Sequence, residues 1–104
     1  MTENELVERI GKLCTSYGLL WCHFVGVYRG RRALHGRYGY PDLTIVGPRG
    51  ILFRECKAGS ALRLGQKEWR DALRASGQDW AVWYPVDLSS GRIERELAAV
   101  AARA

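Results

Sequence analysis

The sequence predicts a single α/β domain over residues 1–104, with one mixed sheet of about four strands and helices packed against it. Three observations support this fold class. The chain of 104 residues is long enough for one compact domain and too short for two. Hydrophobic residues make up 47% of it, which is enough to form a core. Helical and strand patterns follow one another in the order α-β-β-β-α-β-α.

The first two elements are a helix and a strand. Residues 3–16 repeat apolar side chains at helical spacing and place charged side chains on the opposite face. Thr2 is a suitable N-cap, and Gly18 follows the helix as a stop signal. Residues 19–28 are rich in aromatic and β-branched side chains, which is typical of a strand.

The middle of the chain combines a basic loop with a predicted hairpin. Residues 29–39 are rich in arginine and glycine and are too polar to belong to the core. Residues 43–46 and 51–57 are predicted strands, and Gly47-Pro48-Arg49-Gly50 between them has the composition of a turn. We therefore expect these two strands to pair with each other.

The last third of the chain alternates again between helix and strand. Residues 63–76 carry apolar side chains on one face and predict a helix. Residues 80–86 predict a strand that Pro85 and Asp87 stop. Residues 92–103 are rich in alanine with an apolar stripe, which predicts a final helix.

The charge balance favours a phosphate-rich partner. The net charge is +5, the isoelectric point is near 9.4, and 13 of the 16 basic residues are arginine. Arginine can bind a phosphate through two parallel hydrogen bonds, so its excess suits phosphate contacts. A GC-rich genome would explain the arginine bias equally well, although it would not explain the net charge.

Cysteine content and the N-terminus predict a cytoplasmic protein. Cys14, Cys22 and Cys56 are odd in number and share no CxxC spacing, so neither a disulfide framework nor a zinc site is expected. The N-terminus is acidic and lacks the basic start and apolar run of a signal peptide. No apolar stretch approaches the ~20 residues that a bilayer requires, so we expect no membrane partner.

Two carboxylates and a lysine are predicted to converge on one face of the sheet. Strand side chains alternate, so Glu55 and Lys57 point to one face and Cys56 to the other. Asp42 opens the second strand, and the turn at residues 47–50 is about equally far from Asp42 and Glu55 along the chain. This spacing is the register that would bring the two carboxylates together.

A half-buried pair of carboxylates needs a cation, and a divalent metal ion can supply it. Oxygen ligands favour Mg²⁺, or Mn²⁺ in its place, over Zn²⁺. Such an ion polarises a phosphate and lowers the pKa of a bound water. Lys57 would orient or deprotonate that water and offset charge that builds up on the phosphate.

Two further polar residues occupy inward-facing helix positions. Glu3 lies three and four positions before the apolar residues Leu6 and Val7, and helical phase therefore favours it over Glu5 as the inward carboxylate. Gln66 likewise falls on the apolar face of its helix. Both helices are thus expected to aim a polar side chain at the sheet.

Each of these residues has a simpler explanation when taken alone. Asp42 is of a type common in turns, and Glu55 and Lys57 could be a solvated neighbour pair on an exposed face. Their combination with Glu3 and Gln66 favours a functional site.

The basic loop is a candidate DNA contact. Four of its arginines would neutralise phosphates, and Tyr38 or Tyr40 could stack on a base; the arginines are Arg29, Arg31, Arg32 and Arg37. An ordinary solvated loop is the alternative. The tryptophans at 69, 80 and 83 are expected in the core or an interface rather than on a base.

The motif residues resemble the PD-(D/E)xK nuclease superfamily. The matching segments are Tyr40-Pro41-Asp42-Leu43, Arg54-Glu55-Cys56-Lys57 and Gly65-Gln66-Lys67-Glu68-Trp69. Within the superfamily the chain is most similar to the small VRR-NUC branch, which resembles archaeal Holliday junction resolvases. The resemblance covers about residues 3–84, with one departure: branch members often open the glutamine helix with Ser or Thr, where this chain has Arg63.

The resemblance implies a restriction-endonuclease-like core and a Mg²⁺-dependent endodeoxyribonuclease with no small-molecule cofactor. It implies Asp42, Glu55 and the backbone carbonyl of Cys56 as metal ligands. Lys57 would then be the catalytic residue, with Glu3 and Gln66 in support.

The same resemblance implies branched duplex DNA, such as a four-way junction, as substrate and a homodimer with two active sites. With no separate recognition domain in 104 residues, we expect recognition by DNA shape rather than by sequence. A phage-encoded protein acting in a bacterial host fits the stand-alone members of the branch. The alternative is a non-catalytic or partner-dependent nucleic-acid-binding module with the same fold.

Overall fold

A computed structural model describes residues 1–25 and 36–102 and confirms the predicted α/β class. Its elements are α1 (Glu3–Ser16), β1 (Leu20–His23), β2 (Leu43–Gly47), β3 (Gly50–Cys56), α2 (Leu64–Ala75), β4 (Asp79–Trp83), α3 (Pro85–Ser89) and α4 (Arg92–Ala101).

The four strands form one mixed sheet in the order β1-β2-β3-β4. The first three are antiparallel neighbours, and β4 runs parallel to β3, so α2 is the crossover between them. The predicted hairpin of β2 and β3 closes where Gly47 pairs with Gly50 around Pro48 and Arg49. This turn fixes which residues of the two strands face each other.

Helices α1 and α4 cover one face of the sheet, and α2 covers part of the other. The core lies on the first face, where Leu6 and Ile10 of α1 pack with alternate residues of β2 and β3 such as Ile45 and Leu52. Each fully buried leucine or isoleucine contributes about 1.5–3 kcal/mol to folding. Polar residues of the strands that point to the other face are therefore available to α2.

The ends of α1 are those that the sequence predicts. Thr2 accepts a hydrogen bond from the Glu5 N–H, and the Glu5 side chain accepts one from the Thr2 N–H, which forms a capping box. Gly18, at φ 71°, lies just past the C-terminal end. Since Glu5 is used in the cap, Glu3 is left to face the sheet.

The region after β4 differs from the prediction. The strand predicted over residues 80–86 ends at Trp83, and Pro85 opens the short helix α3, which was not predicted. Proline suits the first position of a helix, and Asp87 accepts a hydrogen bond from the Tyr84 N–H at 2.7 Å. These two residues therefore start a helix as well as stopping the strand.

Two other boundaries differ slightly. The last helix spans Arg92–Ala101, and residue 103 of its predicted span lies outside the described residues. Strand β1 spans Leu20–His23 of the strand predicted over residues 19–28. Residues 26–28 of that strand lie outside the described residues. Within the described ranges, no helix combines the length and the apolar character needed to cross a membrane.

Candidate active site

Asp42 lies at the open end of the β2–β3 hairpin, away from the turn and directly before β2. Its carbonyl accepts a hydrogen bond from the Phe24 N–H at 2.8 Å, which ties it to the end of β1. The β2–β3 register, continued by one residue beyond β2, places Asp42 opposite Glu55. Its Oδ2 accepts a hydrogen bond from the Cys56 N–H at 2.8 Å. The structure thus brings together the two carboxylates that the sequence singled out.

Glu55 is the most buried carboxylate of this group, with 2% of its surface exposed. Its Oε1 accepts a hydrogen bond from Gln66 Nε2 at 2.8 Å. Its Oε2 is buried and has no hydrogen-bond partner among the described residues. Buried polar atoms of native proteins nearly always have a partner, so this oxygen indicates a missing ligand, proton or water.

The environment of Glu55 disfavours its charged form. Burial raises the pKa of Glu55 to about 9, with a further contribution from the neighbouring Asp42, while the positive charge of Lys57 acts in the opposite direction. Without another cation, this environment therefore favours the protonated form of Glu55 at neutral pH.

Lys57 follows the last residue of β3 and is 5% exposed. Its backbone N–H donates to the Trp83 carbonyl at 3.0 Å, which continues the pairing with β4 by one residue. Within residues 1–25 and 36–102, its ammonium group has no hydrogen bond or ion pair. It is thus a cation beside Glu55 without a structural partner in the described part of the chain.

The donor set fits a hydrated divalent metal ion. The described residues contain no group of three or more His, Cys, Asp or Glu side chains that could hold an ion, so a closed protein cage of the structural zinc type does not form there. Asp42 and Glu55 together offer two carboxylates, one with an unpartnered oxygen. Mg²⁺ typically binds through one or two carboxylates and completes its shell with water and phosphate oxygens.

Glu3 lies near this pair and binds the segment that follows β3. Its Oε2 accepts hydrogen bonds from the Ala58 N–H at 3.3 Å and from Ser60 Oγ at 3.0 Å. Its charge also helps to raise the pKa of Cys56, after burial, Asp42 and Glu55. Glu3 therefore positions the chain just beyond Lys57.

Gln66 has two hydrogen-bonding roles. Its Nε2 donates to Glu55, and its Oε1 accepts from the Arg63 N–H at 2.8 Å. Arg63 is the N-cap residue of α2, and the Gln66 side chain accepts from its backbone N–H, which is the bond that the N3 residue makes in a capping box. Gln66 therefore connects the start of α2 to Glu55.

Two glycines bring α2 close to the segment that leads into Asp42. A Cβ on Gly39 would lie 2.2 Å from the Gly65 carbonyl carbon, and a Cβ on Gly65 would lie 2.8 Å from the Tyr38 carbonyl oxygen. Gly39 also has φ +98°, which side-chain-bearing residues rarely adopt. This close approach positions Gln66 against Glu55.

The site opens beside a cleft of about 540 Å³. Asp42 lies in its wall, together with the first turns of α1 and the end of β1; the other lining residues are Asn4, Val7, Glu8, His23, Phe24 and Val25. A ligand can therefore reach Asp42 from solvent.

The predicted DNA contacts are only partly described. Arg29, Arg31 and Arg32 lie outside the described residues. Arg37 forms an ion pair with Glu68 of α2, and Tyr38 beside it is 53% exposed. The structure thus places Arg37 and Tyr38 on the surface next to α2.

Sequence reasoning assigned no role to Arg54, which precedes Glu55 in β3. Its guanidinium is 2% exposed, donates to Glu96 Oε1 at 2.8 Å and to the Asp79 carbonyl at 2.7 Å, and lies 5.0 Å from the centre of the Trp83 ring. Burial acts to raise the pKa of Glu96, but hydrogen bonds from Arg54 and Arg92 outweigh it and hold this pKa below its ordinary value. Arg54 thus fixes the strand that carries Glu55.

One signal for Arg54 was present in the sequence. By strand alternation it falls between Leu52 and Cys56, on the apolar face of β3. A charged residue at such a position indicates a buried partner, which here is Glu96 on α4.

No protein-family model matches the chain, and neither the curated proteins nor the solved structures give a significant match to it. The interpretation of the site therefore depends on the motif residues and their geometry.

Proposed function

We propose that the chain is a metal-dependent endonuclease that hydrolyses DNA phosphodiester bonds at the Asp42–Glu55–Lys57 site. The observation that carries the proposal is the buried Glu55, whose Oε2 has no partner among the described residues although Asp42 and Lys57 lie beside it. A deeply buried carboxylate with an unpartnered oxygen, beside a second carboxylate and a lysine, is typical of a ligand-binding site.

Asp42, Glu55 and the backbone carbonyl of Cys56 would hold a Mg²⁺ ion, or Mn²⁺ in its place. When bound, this ion supplies a Lewis acid for the scissile phosphate and for the attacking water. Gln66 donates to Oε1 of Glu55, and Oε2, which has no partner among the described residues, would be available to the ion. Gln66 is therefore a positioning residue.

Lys57 is the proposed catalytic residue that contacts the reacting atoms. Its ammonium group has no other partner in the described part of the chain, so it is available to orient the water and to offset charge on the phosphate. Its side chain is 5% exposed, and its positive charge acts to lower the pKa of Glu55.

The net charge of +5 and the exposed Arg37 and Tyr38 support DNA as the substrate. We expect branched duplex DNA to be preferred and a homodimer to act on it, with both expectations following from the resemblance. The free thiols Cys14, Cys22 and Cys56 support action in the reducing cytoplasm of a bacterial host, including one that carries a phage.

The experiment that tests this function is cleavage of labelled four-way junction, flap, nicked and linear duplex DNA with Mg²⁺, with Mn²⁺ and with EDTA. Lys57→Met keeps the apolar stem and removes the charge, and it should lower the cleavage rate by about 10²–10⁴-fold while DNA binding persists. Lys12→Ala, an exposed lysine of α1, is the control and should cut as the wild type does.

Cutting that survives Lys57→Met, or that needs no metal, would rule out this site as the catalytic one. Binding without cutting in any metal would indicate a non-catalytic or partner-dependent nucleic-acid-binding module.

A further inference from the structure

A second concave site lies next to the candidate active site, between α2 and the segment that precedes Asp42. It is a cavity of about 240 Å³ lined by Arg37, Tyr38, Glu68, Trp69 and Ala72. Pockets for drug-sized ligands typically measure about 300–1,000 Å³, so this cavity suits a smaller, single-ring or double-ring ligand.

The walls of this pocket are fixed by contacts on both sides. Trp69 Nε1 donates a hydrogen bond to the Arg37 carbonyl at 3.3 Å, and the Trp69 ring packs edge to face with Tyr40 at 5.0 Å between ring centres. The close approach of Gly39 and Gly65 fixes the neighbouring end of the segment. These contacts therefore fix the Trp69 wall of the pocket and the backbone of Arg37 beside it.

The chemistry of the lining suits a flat aromatic ligand with polar edges. Tyr38 and Trp69 provide aromatic surface, and Tyr38 is 53% exposed. The Arg37 and Glu68 side chains, 77% and 49% exposed, offer hydrogen-bond donors and acceptors at the rim. Nucleobases combine a π-face that stacks on aromatic side chains with edges that hydrogen-bond to such groups.

The position of the pocket relates it to the proposed cleavage site. Trp69 follows Gln66 by three residues on the same face of α2, which is about 4.5 Å along the helix axis. Gln66 in turn binds Glu55. Consecutive nucleotides rise about 3.4 Å in a duplex strand, so the spacing of Gln66 and Trp69 along α2 corresponds to one or two nucleotides.

We propose that this pocket binds one unpaired base of the DNA strand, close to the phosphate that is cut. The inference rests on the proposed action on DNA and specifies its substrate as DNA with an unstacked base. A base inside a continuous duplex is stacked and paired, so it would have to leave the helix at a cost of a few kcal/mol before it could enter. The pocket would thus select bulges, flaps and branch points.

The test measures binding in EDTA, so that it does not depend on cutting. The probe is a duplex with 2-aminopurine as a single-nucleotide bulge, and the comparison is the same duplex with 2-aminopurine fully paired. The wild type should bind the bulged duplex about tenfold more tightly and should quench its fluorescence on binding.

Two variants address the pocket in opposite ways. Tyr38→Ala removes one aromatic wall, and Ala72→Leu fills the cavity while keeping a good helix former. Both should reduce the preference for the bulge to less than about twofold. Ala75→Leu makes the same substitution on the same helix at an exposed position that does not line the pocket, and it should keep the wild-type preference.

Equal affinity of the wild type for the two duplexes would overturn the proposal, as would a bulge preference that survives both pocket variants. A free deoxynucleoside monophosphate that competes as tightly as the bulged duplex would overturn the assignment to DNA. Because cutting is measured separately, loss of the bulge preference and loss of nuclease activity are distinguishable.

Discussion

At the scale of single residues, the proposed chemistry needs a charged Glu55 carboxylate at a buried position, and burying that charge costs folding stability. Its carboxyl is 2% exposed, one oxygen has no partner among the described residues, and its pKa is raised to about 9. Each feature costs stability when the group is charged. Such costs are typical of functional sites, where a ligand provides the missing interaction.

Replacing Glu55 with glutamine should therefore change how the stability of the metal-free protein depends on pH. With a folded-state pKa near 9 and a usual value of 4.5, the wild-type folded state holds the extra proton between these pH values. The stability that this proton provides is complete below about pH 4.5 and is lost as the pH rises through 9. Glu55→Gln is neutral throughout, so its stability should fall less than that of the wild type between pH 6 and pH 9, and each 1 kcal/mol of difference corresponds to about 4–8 °C in melting temperature.

The measurement is thermal unfolding in EDTA at pH 6, 7.5 and 9. Glu94→Gln, an exposed glutamate on α4, is the control and should follow the wild type. Parallel pH profiles for Glu55→Gln and wild type would show that Glu55 is not protonated in the fold.

At the scale of elements, α4 is joined to the sheet through Arg54. The guanidinium, Glu96 on α4 and the Trp83 indole share a set of hydrogen bonds, since Trp83 Nε1 also donates to Glu96 Oε1 at 3.0 Å. Removing one partner of a buried ion pair leaves the other charge uncompensated.

We expect Glu96→Ala to destabilise the fold by about 3 kcal/mol, as measured by urea unfolding. Among the described residues, the remaining ion-pair partner of Arg54 would be Asp79, whose side chain is 61% exposed. Glu94→Ala on the same helix is exposed and should change stability by less than about 0.5 kcal/mol. A loss below about 1 kcal/mol for Glu96→Ala would mean that Asp79 alone neutralises Arg54.

Helix α2 lies so close to the segment before Asp42 that replacing a glycine of this helix with alanine should destabilise the protein, although helix propensity alone would predict stabilisation. In an exposed helix, Gly→Ala stabilises by about 1 kcal/mol. At Gly65, however, the new Cβ would lie 2.8 Å from the Tyr38 carbonyl oxygen, so α2 or the segment must shift. We expect Gly65→Ala to lower stability by about 1–2 kcal/mol.

Thermal unfolding of Gly65→Ala beside Lys67→Ala, an exposed position on the same helix, measures this effect. A melting temperature equal to or above that of the wild type would show that α2 does not depend on the close approach.

Helices and the hairpin were predictable to different degrees for physical reasons. The span of α1 follows from its periodicity and capping box, both of which are local. The hairpin follows from its turn residues. The change from β4 to α3 was missed because residues such as Pro85 and Asp87 are common both at the end of a strand and at the start of a helix. Arg54 was missed because its partner Glu96 lies 42 residues away.

At the scale of the whole molecule, the topology concentrates the site at one end of the sheet. The hairpin brings Asp42 to Glu55, the crossover helix α2 brings Gln66, and α1 brings Glu3 to the segment after Lys57. The sequence could predict the first of these because one turn determines it. It could not predict the bonding of Glu3 or the double role of Gln66, since these depend on how separate elements pack.

Metal binding should stabilise the molecule as a whole. At a free Mn²⁺ concentration ten times the dissociation constant, the gain is about 1.4 kcal/mol, which would raise the melting temperature by several degrees. Asp42→Asn and Glu55→Gln should abolish this shift, while Glu94→Gln should retain it. An unchanged wild-type melting temperature over a Mn²⁺ titration to millimolar levels would argue against the metal site.

Because of the two hydrogen bonds of Gln66, the start of α2 should report on the charge of Glu55. One side-chain amide connects the Arg63 N–H to Glu55, so a change in the ionisation or ligation of Glu55 alters the polarisation of the bond at Arg63. The Arg63 amide resonance should therefore titrate together with a carboxylate that lies on another element. A nuclear magnetic resonance signal from the start of α2 would then report the ionisation or ligation of Glu55 on β3.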